Sequence, residues 1–191
     1  MNDIPSTPSL FLPLAPAIVC AAKKVVWLTP DGEIEDLSHD EVAKRLKPEE
    51  PPIVCHAPET ARKLGLINFN AFDVLELYAF VRPARFVLPT PRGLAEALNL
   101  TLPGNLEREA ESLIASSGAL LVELAERANG LGDVQAGPTA RAMALSNWPW
   151  AKVILAALGE DFTKKAFTNS KAAEALKVWN YLPDWEESAP E

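Results

Sequence analysis

The sequence predicts an α/β domain, with a mixed central sheet flanked by helices and a small helical appendage towards the C-terminal end. Three observations carry that prediction. Short apolar runs at 17–21, 25–28 and 53–55 are bounded by turn-forming residues, as strands are. Residues 106–128 place Leu106, Ala110, Leu113, Ile114, Leu121, Leu124 and Ala128 on one helical face, with small Ser117 among them. After Asn129-Gly130-Leu131-Gly132 the pattern becomes wholly helical.

The elements follow in order. Residues 1–16 carry Pro5, Pro8, Pro13 and Pro16 and read as an extended arm. Residues 17–130 form the α/β domain. Its first two strands are 17–21 and 25–28. Pro30-Asp31-Gly32 makes a turn, and Glu33-Ile34-Glu35 returns as a third strand. Ser38 and Glu41 have the spacing of a capping box, which opens a helix over 40–46 that stops before Pro48. Pro51-Pro52 leads into the strand 53–55. Pro58 suits the first turn of a helix that reaches 64 and ends at Gly65. Residues 71–80 fit strand and helix equally. Residues 82–92 are a Pro-rich loop, and 93–98 a short helix. Within 106–128, Glu123 and Arg127 pair at i, i+4 on the polar face. The appendage, 131–182, divides into helical pieces at 139–146, 149–158 and 171–181. Residues 183–191 read as the start of a linker.

Composition bounds the function. A chain of 191 residues with 48% hydrophobic content can bury the core of one ordinary domain. No apolar run approaches the roughly 18–20 residues that span a bilayer. Asp3 precedes the first apolar stretch and no Lys or Arg does, unlike a signal peptide. A cytoplasmic protein with no membrane partner is expected. The net charge of −8 argues against wholesale electrostatic binding to nucleic acid, though a local basic patch fits within it. Cys20 and Cys55 each end an apolar run. Buried free thiols are expected, with pairing of the two left open.

No phosphate-binding Gly-x-x-x-x-Gly-Lys-Ser/Thr loop occurs, so no ATPase motor lies within these residues. A zinc site from Cys20, Cys55, His39 and His56 would need four isolated ligands to converge and is not expected. Nucleophile–histidine signatures are missing too. His56, directly after a strand, could stand at the mouth of a nuclease cleft, but a turn histidine is the plainer reading. Asp73 and Glu76 could hold a divalent metal, yet a helix cap and a solvent-facing carboxylate explain them more simply. The 82–92 loop carries Arg82, Arg85 and Arg92, no acid, and an interleaved Phe86. It reads equally as a phosphate- and base-contacting loop and as a solvated loop with one buried aromatic. Trp148, Trp150, Trp179 and Trp185 cluster late in the chain, where 138–182 holds six basic residues against three acids. Anchors of a small core or interface are favoured there over a nucleic-acid face.

Several stretches together carry a resemblance. They are Val25-Val26-Trp27-Leu28-Thr29-Pro30-Asp31-Gly32-Glu33-Ile34-Glu35, Cys55-His56-Ala57-Pro58, Phe80-Val81-Arg82-Pro83-Ala84-Arg85-Phe86, Leu88-Pro89-Thr90-Pro91-Arg92-Gly93-Leu94, and Val178-Trp179-Asn180-Tyr181-Leu182-Pro183-Asp184-Trp185-Glu186. Residues 17–128 resemble a DEDD exonuclease domain with a ribonuclease H-like fold. They are most similar to its degenerate copy at the N-terminus of DinG-type ATP-dependent DNA helicases of alphaproteobacteria. Catalysis in such domains uses two metal ions held by converging carboxylates. In this sequence the Asp-x-Glu strand carries Cys20, Ala21 and Ala22. The His-Asn-x-x-Phe-Asp motif meets His56-Ala57-Pro58-Glu59-Thr60-Ala61, with Ala61 in the acid slot and Glu59 out of register. The His-x-Ala-x-x-Asp-Ala motif meets Gly104 to Ala110, where Glu109 alone supplies an acid.

The resemblance therefore implies a module with no catalytic residues and no metal or cofactor of its own. His56, Glu59 and Glu109 would be vestigial active-site positions. Arg82, Arg85, Phe86 and Arg92 would be the nucleic-acid contacts. The expected role is an accessory of a DNA helicase in DNA repair, docking single-stranded DNA or a protein partner, with the helicase motor as partner C-terminal on the same natural chain. One alternative is an active 3′–5′ exonuclease using Mg²⁺ with Asp31, Glu33, Asp73 and Glu109. The other is a pure protein-interaction domain.

Overall fold

A computed structural model describes residues 12–129 and 135–160. Among them lie five strands: β1 (Ala17–Cys20), β2 (Val25–Leu28), β3 (Ile34–Leu37), β4 (Ile53–Val54) and β5 (Phe72–Asp73). The helices are α1 (His39–Arg45), α2 (Ala57–Lys63), α3 (Val74–Val81), α4 (Pro91–Ala97), α5 (Leu106–Asn129), α6 (Ala136–Ala144) and α7 (Trp150–Ala157). The strands form one mixed sheet in the order β3-β2-β1-β4-β5. β1 pairs antiparallel with β2, from Ala17↔Leu28 to Cys20↔Val25, and β2 antiparallel with β3. β4 runs parallel to β1, and β5 parallel to β4. No helix of the described residues is long and apolar enough to cross a membrane.

Alternation along the strands divides the core. Ala17, Val19, Val26 and Leu28 face a large apolar layer built with α3, α5 and α7. Ile18, Cys20, Val25 and Trp27 face a smaller layer closed by Val42, Leu64 and Ala71. β1 and β2 are buried at every position, as strands covered on both sides must be. The edge strand β3 is more open, and its carboxylates pair as Lys24–Asp36 at 2.8 Å and Arg45–Glu35 at 2.9 Å. Charges of this kind discourage pairing with another chain.

Local chemistry sets the helix ends. Ser38 and Glu41 complete the capping box of α1. The ambiguous 71–80 segment contains both predicted states, since β5 ends at Asp73 and α3 begins at Val74. Asp73 makes the switch by accepting hydrogen bonds from the backbone N–H groups of Leu75 (2.9 Å) and Glu76 (3.3 Å). The short helix expected at 93–98 begins earlier, at Pro91. Thr90 is its cap and Pro91 its first residue, so Arg92 belongs to a helix and not to the loop. Likewise α6 starts at Ala136, ahead of Pro138, which the first turn accommodates.

Helices α6 and α7 join the same large core. Trp150 is fully buried, meets Phe72 edge-on with ring centroids 4.9 Å apart, and donates from Nε1 to the Asp73 carbonyl at 2.7 Å. Trp148 donates to Glu76 Oε2 at 2.7 Å and packs beside Phe80. Both are anchors. Trp179 and Trp185, the expected helix at 171–181 and the linker at 183–191 lie outside the described residues.

Candidate functional site

Because β1 and β4 are parallel, their C-terminal ends open on the same edge of the sheet. A cavity of about 190 Å³ lies there, walled by Cys20, Cys55, His56, Glu59, Lys63 and Glu109, with Thr60 and residues 89–91 completing it. His56, Glu59 and Glu109 are thus brought together. His56 follows β4 at the cap position of α2, and its side chain makes no capping hydrogen bond. Glu59 and Lys63 project from α2 one turn apart, and Glu109 comes from the first turn of α5.

Lys63 is the residue sequence reasoning missed. Its ammonium donates to the Cys20 carbonyl at 3.0 Å and lies 3.8 Å from Glu59 Oε1. The i, i+4 spacing from Glu59 was the available signal. Glu59 is also clasped by both arms of Arg62, at 2.8 and 2.6 Å, and this hydrogen bonding holds its carboxyl below the usual range. Burial pushes the Glu109 carboxyl above its usual range, with the Lys63 charge pulling partly back. Burial likewise raises the thiols, Cys20 to about 11 and Cys55 to about 12, so both are protonated at neutral pH and poor nucleophiles. Both are free: Cys20 faces the smaller core layer and Cys55 packs against the larger one.

Of the other acids of the nuclease alternative, Asp31 and Glu33 lie elsewhere, while Asp73 ends β5 on the same sheet edge, near enough for its charge, together with that of Glu109, to add to the burial that raises the Cys55 thiol. Asp31 and Glu33 sit at the β2–β3 turn, beside the start of β1, because Leu28 pairs with Ala17. That is about 10 Å of strand from the Cys20 end. Asp31 lines a different cavity, of about 650 Å³, with Trp27 and Arg45. Asp73 borders a third, of about 320 Å³, with Glu76 and Trp148. Its carboxylate is committed to backbone, since Oδ2 also accepts from the Ala57 N–H at 2.7 Å. Burial raises its pKa against those bonds. His39 Nε2 donates to the Ala21 carbonyl, 3.0 Å away. Among the described residues no group of three or more His, Cys, Asp or Glu is placed to hold a metal ion.

The arginine loop divides by role. Arg82 is half-buried and forms a two-pronged pair with Glu123, Nε at 2.9 Å and Nη2 at 2.8 Å, while Nη1 donates to the Ala97 carbonyl at 2.8 Å. The Glu123 bond holds its guanidinium pKa up. Arg85 and Arg92 are exposed. Arg92 Nη1 reaches the Pro103 carbonyl at 3.5 Å. Phe86 is 84% exposed, which overturns the buried-aromatic version of this loop.

No family model matches the chain, and neither a curated protein nor a solved structure matches it.

Proposed function

We propose that this chain is a non-catalytic, exonuclease-like module with a ribonuclease H-like fold, serving a DNA helicase as a docking element for DNA or a protein partner. A mixed five-stranded sheet with β1 at its centre and helices on both faces is compatible with that fold. The observation that carries the reading is the cleft at the ends of β1 and β4. Cys20, Ala21 and Ala22 occupy the strand end where the resemblance calls for metal-holding acids. The positive charge beside that strand end is the chain's own Lys63 ammonium, hydrogen-bonded to the Cys20 carbonyl. Glu59 is neutralised by Arg62 and Lys63, which leaves Glu109 as the cleft's one carboxylate outside an ion pair among the described residues. Two-metal hydrolysis needs several ionised carboxylates converging on the scissile phosphate, and this donor set does not supply them.

The helicase partner rests on the resemblance of residues 17–128 and 178–186, and a cytoplasmic location accompanies it. Mg²⁺ belongs only to the active-nuclease alternative. The test is incubation of the purified chain with end-labelled single-stranded DNA in Mg²⁺ or Mn²⁺. Intact DNA is expected. Stepwise 3′–5′ shortening that disappears in Glu109→Ala would overturn the non-catalytic reading.

A further inference from the structure

We infer that the segment between α3 and α4 is a pre-shaped platform for single-stranded nucleic acid, on which Phe86 stacks a base and Arg85 and Arg92 hold the flanking phosphates. It rests on the docking half of the proposed function and is independent of whether the cleft cuts.

The segment is held along its length. Arg82 clamps its start through Glu123 and the Ala97 carbonyl. A tight turn follows, with the Arg85 N–H donating to the Arg82 carbonyl at 3.3 Å and Ala84 at a φ of 60°. A non-glycine residue in that left-handed region is strained, and such strain collects at functional loops. Val87 packs against the large core. Leu88 lies so close to α4 that a Cβ on Gly93 would come within 2.5 Å of its Cβ and carbonyl oxygen. Thr90 closes the end by donating its N–H to the Leu88 carbonyl at 2.7 Å and capping Gly93 at 3.0 Å.

Between these fixed points Phe86 points outward. It is the one exposed aromatic ring among the described residues. The chain thus orders a loop and leaves its most apolar ring in water. A base needs only a flat face to stack on, and a face that is already ordered loses little entropy when it binds. The charge matches the same ligand. From Leu77 to Ala95 the sequence has three arginines and no acid, in a chain of net charge −8. An anchoring peptide side chain would want a pocket. Phe86 and Arg85 line none of the three cavities described above, whereas residues 89–91 run on from the platform into the wall of the β1–β4 cleft.

This assignment separates the arginines. Arg82 is a positioning residue whose guanidinium is spent inside the fold, while Arg85 and Arg92 face the ligand.

Fluorescence anisotropy of a labelled oligothymidylate, titrated at low salt in EDTA, tests the inference on the full chain. Wild type is expected to bind, with affinity falling as salt rises. Phe86→Ala should weaken binding roughly tenfold or more, with Phe86→Trp restoring it. Arg85→Ala and Arg92→Ala should each flatten the salt dependence by about 0.7 in log–log slope. Phe86 and Arg85 are exposed, so circular dichroism of these variants should match wild type. Absence of binding by wild type, equal binding by Phe86→Ala, or capture of an acidic peptide in place of the oligonucleotide would each defeat the platform. Shortening of the strand in Mn²⁺ with Phe86-dependent binding intact would defeat only the non-catalytic reading.

Discussion

Glu109 shows how a single residue's environment sets its chemistry. It sits on the polar entry of α5, but the cavity wall removes enough water to raise its carboxyl pKa. The folded state then binds this proton more tightly than the unfolded chain does. No stability is lost on this account below the ordinary glutamate range, around pH 4. As pH rises through the raised folded value, ionisation costs stability. Glu109→Gln should therefore raise the melting temperature near pH 7.5 and leave it unchanged near pH 3.5. Thermal melts at the two pH values check this, and an equal shift at both would mean that burial of charge is not the cause. Lys63 and Arg82 make the complementary point. Each is a surface-type residue whose charge is directed inward, onto the Cys20 carbonyl in one case and Glu123 in the other. Nothing in a one-dimensional pattern distinguishes such a cation from one offered to a ligand.

At the scale of elements, chain direction is set mostly by short-range chemistry. Ser38 with Glu41, Asp73, and Thr90 before Pro91 each satisfy backbone N–H groups that would otherwise be stranded at a helix start. Gly93 has a tertiary reason. Its missing Cβ lets the Leu88 backbone settle on α4, which fixes the far end of the Phe86 segment. Gly93→Ala should destabilise the protein by about 1–3 kcal/mol, the usual penalty for overpacking a tight contact. Urea denaturation measures it. The loss should come with weakened oligonucleotide binding, because the same contact shapes the platform. A variant as stable as wild type would show that the close approach is not a constraint.

For the whole molecule, the decisive contact is between the late helices and the sheet. Trp150 on α7 packs on Phe72 of β5 and hydrogen-bonds the Asp73 carbonyl, 77 residues away in sequence. Together with Ile154 and Leu155 it lies in the same apolar layer as Val19, Val26 and Leu124. Trp150→Ala should cost about 3–5 kcal/mol and lower the midpoint of one shared unfolding transition. Circular dichroism and hydrogen exchange at α7 and β1 would follow it. Exchange in α7 that runs far ahead of β1 in the wild-type protein would sink the shared-core account.

The α/β class, the mixed strand pattern and α5 were legible in the sequence because each rests on local periodicity and capping. The run of apolar residues from Leu106 and the turn at Pro30-Asp31-Gly32 needed no distant partner to be read. That Cys20, Ala21 and Ala61 carry no carboxylate is likewise plain from the sequence. What required tertiary structure was the partner that each charged or aromatic side chain meets. Lys63 in the cleft, Arg82 half-buried against Glu123, Phe86 in solvent and Trp150 on Phe72 all depend on which residues, dozens of positions away, the fold brings beside them. Local sequence encodes backbone conformation through propensities a few residues long. The partner of a side chain is set by long-range packing, which no short window contains.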